Sequence, residues 1–252
     1  LAFRDSVNEN GRKPMNGNLE QIRELVFANR ILGREGVVDA FGHISVRCFD
    51  NPERYYMSCS RAPELITVDD IMLFTLDGEA IDGRDRRPYG ERPIHGALYE
   101  MRPDINSVVH NHALELIPFG VTNTQLKAIA HVGASIGNDI PTWDIRDKFG
   151  ETDHLVVTME QGRDLASCVG DRRVALMRGH GGVVAAANVR EAVMTSVYLQ
   201  INARLQLMSL PLGEPNYLTP NEVEMCRERQ FSPLGIDRAW EYWCARAGCD
   251  EL

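Results

Sequence analysis

The chain has 252 residues, of which 44% are hydrophobic and 25% are charged, a balance typical of a folded enzyme or binding domain. Its 36 acidic and 27 basic residues give a formal net charge of -9. This charge disfavours nucleic acids and anionic membranes as partners, because both are themselves negatively charged. No stretch reaches the roughly 18 consecutive apolar residues that a spanning helix requires. We therefore expect neither a nucleic-acid nor a membrane partner.

Cysteine usage indicates the cellular compartment. The six cysteines are spread along the chain without a CxxC pair, which fits neither a disulfide scaffold nor a zinc ribbon. The first residues are polar and charged, unlike the apolar core of a signal peptide. We therefore expect a cytoplasmic protein with reduced thiols.

The N-terminal third of the chain predicts an arm, a helix and a small antiparallel sheet. Residues 1–17 are rich in Asn, Arg and Gly and predict a loosely held arm. From Asn18 to Leu32, apolar residues recur at the spacing of a helix, which a Gly-containing segment then ends. Three short strand patterns follow, at 44–48, 55–58 and 71–76.

Helical and strand patterns alternate in the rest of the chain. Helices are predicted at 92–101, 113–119, 158–169 and 189–210, and strands at 107–111, 174–177 and 183–187. Glu91 is expected to begin the first of these helices. A loop is predicted at 141–152 and a terminal helical stretch at 220–246. Neither an internal repeat nor a low-complexity linker divides the chain, so we expect one α/β domain with a mixed sheet.

Four residues form a candidate metal site. His110 and His112 stand at the end of the predicted strand 107–111, where the strand period of two puts both imidazoles on one face. His180 lies in a Gly-rich turn between two predicted strands and can project into a cleft. Glu91, upstream of the pair, can add a carboxylate. Three imidazoles and one carboxylate are a credible ligand set for Zn²⁺, Mn²⁺, Fe²⁺ or Co²⁺.

Several short motifs occur in a fixed order along the chain. They are Gly42-His43-Ile44-Ser45-Val46-Arg47, Gly90-Glu91, Arg102-Pro103-Asp104, Val108-Val109-His110-Asn111-His112 and Gly179-His180-Gly181. In this order and spacing, the chain resembles the class II aldolase/adducin family from about Leu19 to Leu207. The resemblance implies a three-layer α/β/α domain around a mostly antiparallel sheet, and a homotetramer with active sites at subunit interfaces. On this basis, 18–210 form the catalytic domain and 211–252 a C-terminal helical extension of it.

The same resemblance assigns roles to individual residues. It makes His110, His112 and His180 the metal ligands. Glu91 falls where family aldolases have a carboxylate that can ligate the metal and act as acid or base. The alternative for Glu91 is a solvated helix-start residue favoured by the helix dipole. His131 falls in a segment that the resemblance places near the metal site of a neighbouring subunit, where it could move a proton; a structural role is its alternative.

The chain departs from the sugar-phosphate members of this family. Those members hold phosphate with an Asn, a Thr-Gly loop and a Ser-Ser pair, because small residues expose backbone N–H groups to the anion. Here His43 replaces the Asn, Ser58-Cys59-Ser60-Arg61 replaces the Thr-Gly loop, and Tyr89-Gly90 replaces the Ser-Ser pair. We therefore expect a small anionic substrate other than a phosphorylated sugar.

A different anion pocket remains in the sequence. Arg61 offers a planar fork suited to a carboxylate, with Ser58 and Ser60 as added hydroxyl donors. An ordinary surface arginine is the alternative for Arg61. Arg146, in the predicted loop, is a weaker candidate, for which a loop salt bridge is the alternative. Together with His43, these are the predicted substrate-binding residues.

One branch of the family is most similar to the chain. The motifs Gly-His-Ile-Ser-Val-Arg, Ser-x-Ser-Arg-Ala-Pro and Arg-Gly-His-Gly resemble the branch that contains 3-hydroxy-2-methylpyridine-4,5-dicarboxylate decarboxylase, which acts in vitamin B6 degradation. The resemblance implies a metal-dependent carbon–carbon lyase that removes CO₂ from a hydroxylated aromatic or pyridine dicarboxylate, with Mn²⁺ as the expected metal. Arg61 would hold one carboxylate, and either Glu91 or His131 would protonate the ring carbon.

Three other functions remain open from the sequence. A sugar-phosphate aldolase or epimerase of the same family would use the same metal ligands. A non-haem iron oxygenase could also use three imidazoles and a carboxylate. A cytoskeletal interaction module, as in adducin, shares the fold but has no need of intact ligands at His110, His112 and His180.

Overall fold

The computed structural model describes residues 17–81 and 85–249. The predicted N-terminal arm lies outside the described residues except for Gly17, which begins the first helix. The helices are α1 (Gly17–Arg34), α2 (Pro93–Met101), α3 (Ile117–Val121), α4 (Arg146–Phe149), α5 (Met159–Val169), α6 (Val189–Ser209), α7 (Pro220–Gln230) and α8 (Pro233–Arg246). The strands are β1 (His43–Arg47), β2 (Arg54–Ser58), β3 (Ile71–Thr75), β4 (Ser107–Asn111), β5 (Thr142–Trp143), β6 (Val174–Met177) and β7 (Gly181–Ala186).

Within the described residues, the strands form one seven-stranded sheet in the order β3-β2-β1-β4-β7-β6-β5. Neighbouring strands are antiparallel except for β5 and β6, which are parallel. In the centre of the sheet, His43 of β1 lies opposite His110 of β4. On the other side of β4, His110 lies opposite Val183 of β7. The expectation of a mostly antiparallel α/β fold is confirmed.

Helices cover both faces of this sheet. Alternate strand residues such as Ile44 and Val109 pack with α1 and α6 in one hydrophobic core. Their neighbours, such as Val108 and Val183, pack with α2 and α5 in a second core on the opposite face. Because successive side chains of a strand point to opposite faces, the two cores lie on either side of the sheet and make a three-layer α/β/α domain.

The segment predicted as a loop at 141–152 contains two short elements. The strand β5 has two residues and pairs with β6, and the helix α4 has four residues and includes Arg146. Elements this short span only about one period of the hydrophobic pattern, so there is no repeat from which periodicity could detect them. Arg146 therefore stands on a helix rather than in a loop.

Two other predicted boundaries need correction. Glu91 lies in the turn before α2, and the helix begins two residues later, at Pro93, whose missing N–H suits the first turn of a helix. The terminal helical stretch is two helices, because Pro233 cannot continue α7 and begins α8 instead, with Ser232 as its cap.

All six cysteines are free thiols. In the described ranges, no helix is long and apolar enough to cross a membrane.

Candidate metal centre

Four side chains converge at one end of the central strands. Glu91, His110, His112 and His180 each offer one ligand atom, and these four atoms lie within 4.8 Å of one another. His110 belongs to β4, His112 follows the end of β4, and His180 precedes β7. The antiparallel pairing of β4 with β7 places the end of one strand beside the start of the other. The sheet itself therefore brings the three imidazoles together.

A glycine at position 181 permits this close approach. Gly181 has a φ of 156°, and a Cβ there would lie 2.0 Å from the carbonyl oxygen of Asn111. No other residue type fits such a distance without displacing one strand. Gly181 thus keeps His180 beside His112, on the facing end of β4.

The distances between the four ligand atoms are short. The Nε2 atom of His112 lies 3.0 Å from Nε2 of His110 and 3.0 Å from Nε2 of His180. The Oε2 atom of Glu91 lies 3.4 Å from Nε2 of His110 and 3.8 Å from Nε2 of His180. The cluster is therefore compact enough for one cation to contact all four atoms.

Hydrogen bonding decides where the imidazole protons are. The Nδ1 atom of His110 lies 3.2 Å from the carbonyl oxygen of Gly182. Because a carbonyl can only accept, His110 carries its proton on Nδ1 and directs a lone pair from Nε2 into the cluster. His112 carries one proton at most on Nε2 and cannot satisfy two neighbouring nitrogens with it. At least one of these two nitrogen–nitrogen contacts therefore lacks a hydrogen bond, and a divalent cation that receives the nitrogen lone pairs would stabilise the cluster.

The charges of the cluster also suit a cation. Burial alone would raise the pKa of Glu91, but His110, His180 and the backbone N–H of Val156 lower it to about 2. Val156 donates to Oε1 of Glu91 at 3.1 Å. Burial and the neighbouring His110 lower the pKa of His112 and of His180 to about 4. At neutral pH the centre thus combines the Glu91 carboxylate with neutral imidazoles at His112 and His180, the protonation state that metal ligands require.

The predicted substrate-binding residues lie in different surroundings. Ser58 is buried at the end of β2, whereas Ser60 and Arg61 are exposed in the turn that follows. Nη1 of Arg61 pairs with Oδ2 of Asp70 at 2.6 Å. The Tyr89 hydroxyl donates to the carbonyl oxygen of Arg61. Because Tyr89 also packs against His43, it links this turn to the metal centre. Burial raises the pKa of Tyr89 and keeps it a neutral donor.

Two other predicted residues stand outside the cluster. Arg146 forms a salt bridge with Asp144, at 2.8 Å between Nη2 and Oδ2, and Asp144 also pairs with Arg178 at 2.6 Å. His131 is exposed and begins a 3₁₀ turn, His131–Ile136. It lines a cavity of about 470 Å³ together with residues of α6, α7 and α8. The lining of that cavity includes none of the four clustered residues.

Sequence reasoning missed a set of polar residues behind the centre. His43, a predicted substrate residue, is buried, and its ring centroid lies 5.2 Å from that of His110. Its Nδ1 atom bonds to His95, which in turn bonds to Ser45. The sequence does contain a signal for these contacts, because His95 and Tyr99 are four residues apart on a helix and His43 and Ser45 are two apart on a strand.

The chain thus combines a three-layer α/β/α fold with four clustered side chains that could hold one metal ion. Residues 23–207 match the class II aldolase and adducin N-terminal domain family, and the chain belongs to this family. Decarboxylase tropJ from Talaromyces stipitatus is 31% identical over 248 residues, which cover 88% of this chain and 92% of that protein. A 3,4-dihydroxyphthalate decarboxylase from Arthrobacter keyseri is 31% identical over 202 residues, or 75% of this chain and 78% of that protein.

A solved structure shows the same fold. L-fuculose 1-phosphate aldolase from Glaciozyma antarctica PI12 superposes with a TM-score of 0.75 at 18% identity, covering 94% of this chain and 95% of that chain. The predictions of the family and of its three-layer fold are confirmed. Relatives named decarboxylase and aldolase cleave carbon–carbon bonds, and the chain is accordingly a lyase.

Removing one imidazole tests the metal centre directly. His110→Ala should abolish stoichiometric Zn²⁺ or Mn²⁺ binding, because the three remaining ligands hold a cation far more weakly than all four. Zn²⁺ should raise the melting temperature of the native chain and leave that of the variant unchanged. His131→Ala, outside the cluster, is the matched control and should bind metal normally. Full metal content in His110→Ala would contradict the assignment.

The pH dependence of metal binding provides a second test. Protons compete with the metal for imidazole nitrogen, so affinity falls as pH drops through the pKa of the ligands. With the pKa of His112 and His180 lowered to about 4, affinity should stay nearly constant from pH 7.5 to about 5.5 and fall below about pH 5. Calorimetric titration with Zn²⁺ at each pH measures this. A steep loss between pH 7 and pH 6, as for exposed histidines, would contradict the prediction.

Proposed function

We propose that the chain is a divalent-metal-dependent decarboxylase that removes CO₂ from a hydroxylated aromatic or pyridine dicarboxylate. The observation that carries the proposal is the convergence of one carboxylate and three imidazoles in a chain whose relatives include decarboxylases matched over most of their length. One of them is named for 3,4-dihydroxyphthalate, a dihydroxylated aromatic dicarboxylate. The same class contains 3-hydroxy-2-methylpyridine-4,5-dicarboxylate, the vitamin B6 degradation intermediate that the sequence motifs favour.

In this proposal, His110, His112, His180 and Glu91 hold the metal ion. When bound, a divalent cation supplies Lewis-acid stabilisation of the negative charge that develops as CO₂ leaves. Mn²⁺ is the ion we favour, and the same ligand types accept Zn²⁺, Fe²⁺ or Co²⁺.

Aromatic rings beside the centre support a flat substrate. The ring centroids of His43 and Tyr89 lie 4.6 Å apart, and His43 lies against the candidate ligand His110. Both rings are nearly buried, at 2% and 9% exposure, so only their edges can contact a substrate, and an aromatic edge suits a planar ring better than a phosphate, which seeks backbone N–H donors. Tyr89 stands where small residues would leave backbone N–H groups open to phosphate. This substitution favours the aromatic substrate over the sugar phosphate.

The turn that contains Arg61 supports recognition of a carboxylate. Among the described residues, Asp70 bonds only to Nη1 of the guanidinium, so the edge formed by Nη2 and Nε is left for a planar anion. Burial alone would raise the pKa of Asp70, but bonds from Thr67 and Arg61 lower it overall. Asp70 is therefore an anchored carboxylate that restrains the Arg61 head. Ser58 and Ser60 are our candidates for additional hydroxyl donors in this pocket.

The proton that replaces CO₂ needs a donor. Since its neighbours lower the pKa of Glu91 to about 2, Glu91 enters the reaction as a carboxylate and is suited to metal ligation rather than to donating a proton. His131 is suited to donating one, but it lines a separate cavity of its own chain. We infer that a homotetramer brings His131 of one subunit to the metal centre of another.

We place the protein in the cytoplasm, where its six free thiols stay reduced.

A substrate panel tests the proposed reaction. Mn²⁺-loaded protein should be incubated without oxygen with 3,4-dihydroxyphthalate, 3-hydroxy-2-methylpyridine-4,5-dicarboxylate and L-fuculose 1-phosphate, while CO₂ and product mass are followed. We expect CO₂ release from at least one of the two dicarboxylates and no turnover of the sugar phosphate. His110→Ala should release none, and His154→Ala serves as a histidine control outside the ligand set.

The same panel decides between the alternatives. Cleavage of L-fuculose 1-phosphate without CO₂ would overturn the decarboxylase proposal in favour of an aldolase. A strict requirement for O₂ in the turnover of either dicarboxylate would indicate an oxygenase.

Among the candidate substrate-binding residues, Arg146 is the weakest, because its guanidinium is already bonded to Asp144.

Mixed oligomers test the origin of His131. Glu91→Gln and His131→Gln should each lower kcat by roughly 100-fold or more, since each removes a group used in the reaction. If His131 comes from a neighbouring subunit, coexpression of both variants creates some interfaces with both native residues. In a closed ring with random assembly, about one quarter of the native activity should return. Mixed oligomers that never exceed the single variants would show that both residues act within one chain.

A further inference from the structure

A chain of four buried polar side chains runs from the metal centre into the domain. His43, His95, Ser45 and Tyr99 are all 2% exposed or less. Nδ1 of His43 lies 2.7 Å from Nε2 of His95, and Nδ1 of His95 lies 2.6 Å from Oγ of Ser45. The Ser45 Oγ atom lies 2.7 Å from the Tyr99 hydroxyl oxygen. All three distances are those of good hydrogen bonds.

Secondary structure explains why these residues meet. His43 and Ser45 are two residues apart on β1 and therefore point to the same face of the sheet. His95 and Tyr99 are four residues apart on α2 and share one face of that helix. Since α2 covers this face of the sheet, the two pairs interdigitate into one continuous chain.

The direction of the hydrogen bonds follows from the Tyr99 end. The phenol is buried, and burial raises its pKa well above the ordinary value, so it keeps its proton and must donate it. The backbone amide of Val108 beside it is itself a donor. Among the described residues, Ser45 is the acceptor that remains. Ser45 then donates its own proton to its other partner, Nδ1 of His95.

The same reasoning fixes the tautomers of the two imidazoles, His95 and His43. An imidazole carries a proton on at least one of its two ring nitrogens, and a nitrogen that accepts a hydrogen bond carries none. His95 accepts at Nδ1 and must carry its proton on Nε2, from which it donates to His43. His43 therefore carries its proton on Nε2. No described residue forms a hydrogen bond with that atom.

We propose that Tyr99, Ser45 and His95 are positioning residues that fix the tautomer and orientation of His43, so that its Nε2–H donates to an anionic oxygen of the substrate. This inference rests on the proposed function and deepens it. The inference explains why the polar residues behind His43 are needed. In the other tautomer, the His43 imidazole would direct a lone pair at the substrate and repel a carboxylate. The substrate class is thus an anion recognised by a single oriented donor.

The tautomer can be measured without any substrate. Protein labelled with ¹⁵N in its histidines and loaded with Zn²⁺ is examined by NMR, in which protonated and unprotonated ring nitrogens resonate in separate ranges. We expect both His43 and His95 to carry the proton on Nε2, with His43→Asn and His95→Gln used to assign the signals. A proton on Nδ1 of His43 would overturn the inference.

Removing the serine hydroxyl breaks the chain without touching the metal ligands. Ser45→Ala should give His43 a mixture of tautomers and raise KM for 3,4-dihydroxyphthalate about tenfold, with kcat and Zn²⁺ affinity changed less than about twofold. Tyr99→Phe should act in the same direction and more weakly, because Ser45 can still donate. Ser107→Ala is the matched control, since it removes another buried serine hydroxyl from the same sheet, one bonded to a backbone carbonyl instead.

The outcomes separate this inference from the proposed function. A single Nε2–H tautomer in Ser45→Ala, with unchanged KM, would overturn the positioning role while leaving the decarboxylase proposal intact. Failure of every dicarboxylate in the substrate panel would overturn the proposed function, whereas the predicted tautomers would still be observed. If kcat falls and KM rises by the same factors in Ser45→Ala and in Ser107→Ala, the effect is structural, and this result would contradict the inference.

Discussion

The pairing of β4 with β7 is the constraint on which the rest of the centre depends. Their antiparallel register places Asn111 opposite Gly182 and allows the backbone at Gly181 to approach β4 so closely that a side chain would not fit. This contact brings the imidazole that precedes β7 beside those at the end of β4. The same register places the Gly182 carbonyl where it holds the proton of His110 away from the cluster. One backbone arrangement therefore sets both the position of the candidate ligands and the direction of a lone pair.

Burial of so many ionisable groups would destabilise the domain if each were not compensated. A buried carboxylate is costly when isolated, but the neighbouring imidazoles and the Val156 amide stabilise the charged form of Glu91. Behind it, His43 and His95 avoid charge altogether, because burial lowers the pKa of both rings. The hydrogen bonds along the polar chain then satisfy these neutral rings. Glu91 thus keeps its negative charge, which an incoming cation would offset.

The sequence predicted the parts of this arrangement that follow a short period. The H-x-H spacing placed His110 and His112 on one face, and the Gly-rich turn marked His180 as able to project. It did not predict that His95 bonds to His43, because that contact joins a helix to a strand about 50 residues away, and neither pattern states which helix face meets which strand. Nor did it predict β5, whose two residues form a strand only because β6 offers a free edge. Arg146 likewise pairs with a carboxylate that local sequence did not single out.

The two sets of residues at the centre belong to different parts of the fold, and this separation has a consequence. The imidazoles of the candidate metal site come from β4 and β7, whereas the residues proposed for substrate recognition come from β1, the turn after β2 and the turn before α2. The register between His43 and His110 joins the two sets, and Glu91 follows Tyr89 closely in the turn before α2. Substitutions at positions 43, 58–61 and 89 can therefore change the anion that is recognised while the metal ligands stay in place. This division gives a physical reason why one metal-binding scaffold can serve sugar phosphates in some proteins and aromatic carboxylates in others.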